Sequence, residues 1–109
     1  MDLFNIMGKL KEMQAKMKEA QAHLQEIEAE GEAGAGLVKA RVNGVKQVLK
    51  VEIDPSLVTV EQKEVLQDLM VAAINVAMQK AEEAAQEYLQ KTMKDSMPNI
   101  PGLDFLMNR

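Results

Sequence analysis

From Leu3 to Ile27 apolar residues recur in two series of period seven: Leu3, Leu10, Met17 and Leu24, and three positions later Ile6, Met13, Ala20 and Ile27. Such a 3,4 seam, sustained over four heptads, predicts one long helix of coiled-coil character. Asp2 is placed to cap its start, the glycine cluster Gly31, Gly34 and Gly36 stops it, and Gly8 weakens its first turns.

After Gly36 the period falls from 3.5 to 2. The stretch Leu37–Ile53 alternates around Asn43-Gly44, a favoured two-residue hairpin turn, so it predicts two antiparallel strands. If Val42 pairs with Val45, then Val38, Ala40, Val42, Val45, Leu49, Val51 and Ile53 share one face. Lys39, Arg41, Lys46 and Lys50 then make the other face mostly basic. Asp54-Pro55 ends the second strand. Thr59 followed by Gln62 reads as a capping box, and a stripe from Leu66 through Ala73, Ala77, Ala81 and Ala84 to Tyr88 predicts a second helix reaching about Met93. Its alanines permit close approach of another helix. Pro98 and Pro101-Gly102 end helical structure and leave a tail whose Ile100, Leu103, Phe105 and Leu106 suit an apolar latch.

At 109 residues the chain fits a single domain. The two helices measure about 40 and 50 Å at 1.5 Å per residue. A compact globule of this length spans about 35 Å, so both must project from a hairpin too short to cover their apolar stripes. A second copy of the same chain is the simplest cover.

Composition narrows the chemistry. Nine Met and 3% aromatic residues leave a core of Leu, Ile, Val, Met and Ala. The absence of Cys removes disulfides, thiolate zinc sites and cysteine nucleophiles together. No stretch approaches the ~18 apolar residues of a membrane span, and no secretion signal opens the chain, so a soluble, cytoplasmic protein is expected. With one His, one Tyr and two Ser, at Ser56 and Ser96, no catalytic triad can be assembled. His23 flanks the first seam as a solvated residue with no assigned role. Glu82, Glu83 and the Glu26, Glu28, Glu30 series match no calcium loop. The glycine cluster precedes a strand rather than the helix a phosphate loop requires. No catalytic residue, cofactor, metal or small-molecule substrate is therefore expected.

The formal charge of −4 and pI near 5.0 argue against a generally basic nucleic-acid binder, so any such contact must come from local clusters. Lys9 and Lys16 share one heptad position and Lys11 and Lys18 another, making two basic rows diluted by Glu12 and Glu19. Glu12 precedes Lys16 by four residues, the order that favours an ordinary solvated helix pair.

The run Gly31 to Lys39, then Val42-Asn43-Gly44, then Val51-Glu52-Ile53-Asp54-Pro55-Ser56-Leu57 closely resembles the signature of the YbaB/EbfC family of nucleoid-associated proteins. The Met- and Gln-rich opening helix, the segment Leu66–Ala77 and the Pro-Gly tail extend the resemblance over nearly the whole chain. It implies an α+β fold in which two long helices flank a small antiparallel sheet in the order α-β-β-β-α. The elements would be a helix at 3–27, strands at 28–34, 37–43 and 45–54, a helix at 60–93 and a tail at 95–109. It further implies a tweezer-like homodimer whose protruding helices bind double-stranded DNA, alter its conformation and influence gene expression in the nucleoid. On that resemblance Lys9, Lys11, Lys16 and Lys18 occupy the helix placed at DNA, and Lys91 and Lys94 lie at the far end of the second helix. The competing reading is a non-enzymatic protein-interaction module whose adaptable Met-rich helix docks other proteins, with incidental DNA contact. A membrane-surface helix fits least, because Glu interrupts the basic face that such helices need.

Overall fold

The computed structural model describes residues 3–96. It has the expected α-β-β-β-α order: α1 (Leu3–Glu26), β1 (Glu28–Ala33), β2 (Val38–Asn43), β3 (Val48–Ile53), a short 3-10 turn (Pro55–Leu57) and α2 (Lys63–Ser96). The strands form one antiparallel sheet in the order β1-β2-β3. The proposed cap at Asp2 and the C-terminal latch lie outside the described residues.

One face of the sheet packs on α2. Period-2 alternation sends Ala29, Gly31 and Ala33 of β1, and Val38, Ala40 and Val42 of β2, to that face, where they meet Ala73, Ala77 and Ala81. Small side chains on both partners bring the backbones together. A Cβ built on Gly31 would lie 2.3 Å from the Ala77 nitrogen and 2.5 Å from the Ala73 carbonyl oxygen. The alanine stripe thus receives a strand rather than another helix. Val38 and Val42 are fully buried beside it, and Leu57 closes the core from the turn after β3.

The β2–β3 turn departs from the two-residue expectation. Asn43 pairs with Gln47 through its N–H (3.0 Å), and Lys46 N–H donates to the Asn43 carbonyl (3.0 Å) with Lys46 in the left-handed region at φ 65°. This is a three-residue loop, a turn closed by one left-handed residue. The Asn43 carboxamide stabilises it, since Oδ1 accepts from Val45 N–H (3.1 Å) and Gln47 N–H (2.9 Å) while Nδ2 donates to Gln47 Oε1 (2.8 Å). Consequently Val42 faces Val48, not Val45, and β3 starts at Val48 instead of residue 45. A bulge between the Arg41–Lys50 and Val42–Val48 pairs leaves Leu49 unpaired and 48% exposed, off the core face where alternation alone places it.

Gly44 is engaged elsewhere. Its N–H donates to the carbonyls of Leu24 (3.0 Å) and Ile27 (2.9 Å), satisfying the end of α1. An added Cβ would sit 2.5 Å from the Leu24 oxygen, so the close approach of helix end and turn requires glycine here. The first strand stops at Ala33, one residue before the expected end, because Gly34, Ala35 and Gly36 all turn through positive φ. Thr59 Oγ1 accepts from Gln62 N–H (3.2 Å) as the capping motif requires, but residues 59–62 form a turn, and α2 itself occupies Lys63–Ser96 rather than 60–93.

The chain is elongated, with a radius of gyration of 20.4 Å and extents of 71 × 30 × 16 Å. A compact chain of this length would have a radius near 13 Å. Two substitutions separate the glycines by role. Gly31→Ala should destabilise the protein by about 1–3 kcal/mol or more through overpacking against α2, read from the midpoint of urea unfolding. Gly8→Ala, where an added Cβ meets nothing within 4 Å, should instead raise α1 helicity by circular dichroism, by up to about 1 kcal/mol of helix propensity.

Candidate nucleic-acid interface

Among the described residues, α1 is buried against the body in its last turns. Leu24 is 6% exposed, whereas Leu10 is 55% and Met17 66% exposed, and Leu3, Ile6, Met7 and Met13 are also open. The helix therefore stands out as an arm about 36 Å long. At 100° per residue its seam faces one way, with Lys9 and Lys16 along one flank and Lys11 and Lys18 along the other. Glu12 and Glu19 fall on the back of the helix between the two rows.

All four arm lysines are exposed, as are Lys91 and Lys94 near the end of α2. The ion pairs among the described residues are His23–Glu26 (3.9 Å), Arg41–Glu28 (3.7 Å) and Lys50–Glu52 (2.9 Å), so the expected Glu12–Lys16 pair is not formed. Lys91 borders an open cleft with Ile27, Ala84, Glu87 and Tyr88 where arm and α2 diverge. No hydrogen bond or ion pair among the described residues links the α1 and α2 lysines.

The open face of the sheet is less basic than β2 and β3 alone imply. Glu30 stands opposite Arg41 and Glu32 opposite Lys39, because β1 contributes a row of carboxylates beside the basic row of β2. Lys50 is held by Glu52, whose carboxyl drops below its ordinary value chiefly through the hydrogen bond and charge of Lys50. Asp54 is also lowered, by hydrogen bonds from the Ser56 hydroxyl and N–H that shape the turn after β3. The arm thus carries four exposed lysines in two rows, while Lys46, Lys63, Lys80, Lys91 and Lys94 are exposed singly on the body and along α2.

A family profile described as the YbaB/EbfC DNA-binding family matches residues 1–97. The chain belongs to this family. It is 40% identical over 102 residues to the nucleoid-associated protein mlr5504 of Mesorhizobium japonicum and 41% identical over 102 residues to the nucleoid-associated protein Atu0095 of Agrobacterium fabrum. Each match covers 94% of this chain and 94% of the relative. The fold is similar to that of the uncharacterized protein HP0035 from Helicobacter pylori, at a TM-score of 0.71 and 24% identity, covering 85% of this chain and 98% of that one. The YbaB/EbfC family is a DNA-binding, nucleoid-associated family and not an enzyme family. No helix among the described residues is long and apolar enough to cross a membrane.

Sequence reasoning passes over three residues with evident structural roles: Gly31 as the strand–helix contact, Gly44 as the anchor of the arm, and His23, which stacks on Tyr88. Periodicity marks faces, and it carries no signal for a glycine amide that caps a distant helix.

The carboxylate pairs make a pH prediction. A lowered folded-state value stabilises above the ordinary value, near 4.5 for Glu52, and that contribution disappears as pH falls through the folded value. Lys50→Met should move the Glu52 titration, followed by carboxyl NMR, upward toward its ordinary value.

Proposed function

We propose that two copies of the chain associate through apolar surface left open on the monomer, α1 seam included, and that the paired arms bind double-stranded DNA. Lys9, Lys11, Lys16 and Lys18 contact phosphates, Lys91 and Lys94 supply outlying charge, and the bound duplex changes its path, which influences expression of nearby genes in the nucleoid. The observation that carries this reading is the arm itself: a projecting helix whose seam, exposed among the described residues, runs between two exposed lysine rows. Membership of a DNA-binding family supports the target. No cofactor, metal or small-molecule substrate enters the mechanism, and no enzymatic step is assigned.

Affinity on this account arises from counterion release and tolerates sequence. No base-reading set of Arg, Asn or Gln is assigned to either helix.

Light scattering across a concentration series should give twice the 12.1 kDa of the chain, and a mass that stays monomeric would remove the dimer. In a mobility-shift titration log affinity should fall linearly with log salt. Replacing Lys9, Lys11, Lys16 and Lys18 with Ala should flatten that slope by about 0.9 for each phosphate left unneutralised. Absence of any shifted duplex at low salt and micromolar protein would overturn the DNA reading. Nuclease-resistant capture of one stoichiometric protein in its place would favour a protein-docking role for exposed Met7, Met13 and Met17.

A further inference from the structure

The arm meets the body at a small joint. The single N–H of Gly44 donates to the carbonyls of both Leu24 and Ile27, and these two hydrogen bonds fix where α1 ends. Bonds meeting at one atom restrain position more than direction, so by themselves they form a pivot. Beside the buried Leu24 side chain, a contact lying away from that pivot is the stack of the His23 imidazole on the Tyr88 ring, with centroids 4.2 Å apart and planes 19° from parallel. These rings belong to the one His and the one Tyr of the chain. His23 Nδ1 also lies 3.9 Å from Glu26 Oε2 on its own helix.

The stack is poorly placed to act as core. The His23 side chain is 50% exposed, and Tyr88 sits at the rim of the cleft formed with Ile27, Ala84, Glu87 and Lys91. Its geometry suits direction instead, because two flat faces in contact resist tilting of one helix against the other. The leverage is large. From His23 to Leu3 the arm extends about 30 Å, so a rotation of about 10° at the joint displaces its tip by about 5 Å. That exceeds the ~3.4 Å axial rise between successive phosphates of one DNA strand.

We propose that the His23–Tyr88 stack is the positioning contact that sets the angle of the α1 arm, and through it the register in which the arm lysines meet phosphates. The second half rests on the DNA-binding reading above; the first does not.

The chain contains no Cys, so spin labels can be placed cleanly by Gln14→Cys on the exposed arm and Gln86→Cys on exposed α2. Full-length labelled chain, diluted with unlabelled chain so that one labelled copy is measured, should give one narrow distance distribution without DNA. Tyr88→Phe and His23→Phe keep two stacked rings and should keep it narrow. His23→Ala and Tyr88→Ala should broaden it while the cooperative melt of the body survives. If Tyr88→Ala disrupts that melt, His23→Ala decides, since it removes only the exposed partner. An unchanged distribution in His23→Ala, or broadening in His23→Phe, would overturn the joint.

With DNA, His23→Ala should weaken binding about three- to tenfold, the usual scale for ordering a loosened element on binding, with the salt slope unchanged. Broadened distances with unaltered affinity would overturn the phosphate-register half alone. Absence of DNA binding in the parent chain would overturn the DNA reading and leave the distance result standing.

Discussion

Everything in this fold is arranged around the contact between the Gly31 backbone and the Ala73–Ala77 turn of α2. Strand and helix meet there with no side chain between them. Such proximity needs small residues on both elements, and the chain supplies them as Ala29, Gly31 and Ala33 facing Ala73, Ala77 and Ala81. Close approach of backbones brings the larger β2 residues, Val38 and Val42, into the remaining space, where they are completely enclosed. The core is consequently thin. It covers the first half of α2, from Leu66 to Ala81, and almost none of α1, and the elongated outline of the molecule follows directly.

A thin core also separates the roles of the two helices. The alanine stripe of α2 serves the body, whereas α1 is anchored to the described residues of the body at its C-terminal end. Gly44 joins the two regions, since its N–H donates to the end of α1 from within the three-residue loop. That loop is closed by the Asn43 carboxamide and left-handed Lys46, and the late start of β3 and the bulge at Leu49 accompany it.

These details show what the residue pattern reveals and what it conceals. The seam of α1, the β2–β3 alternation, the Asp54-Pro55 exit and the stripe of α2 are legible, since each is a periodicity or a local turn preference. Strand β1 is not legible from pattern: Glu28-Ala29-Glu30-Gly31-Glu32-Ala33 has no large apolar residue, and its membership of the sheet depends on small residues fitting beneath α2. The turn register differs from the pattern because the Asn43 side chain and left-handed Lys46 close a three-residue loop where Asn43-Gly44 locally favours two. Lysines of the arm are visible as rows, while cancellation of the basic β2 face requires the register of β1, a nonlocal fact. The stacking of His23 on Tyr88 joins residues far apart in sequence, so no window along the chain contains it.

The cancellation on the sheet has a wider electrostatic meaning. Paired rows of opposite sign contribute little field beyond about one Debye length. What survives at a distance is a modest contrast between α1, whose four lysines outnumber Glu12, Glu19 and Glu26, and α2, whose Glu64, Asp68, Glu82, Glu83, Glu87 and Asp95 outnumber Lys63, Lys80, Lys91 and Lys94. A body with such a charge moment experiences a torque near any polyanion, turning its arm forward and its acidic side away before the surfaces touch. The net negative charge is therefore no bar to a preferred approach, because the uneven placement of charge, and not its sum, sets that torque.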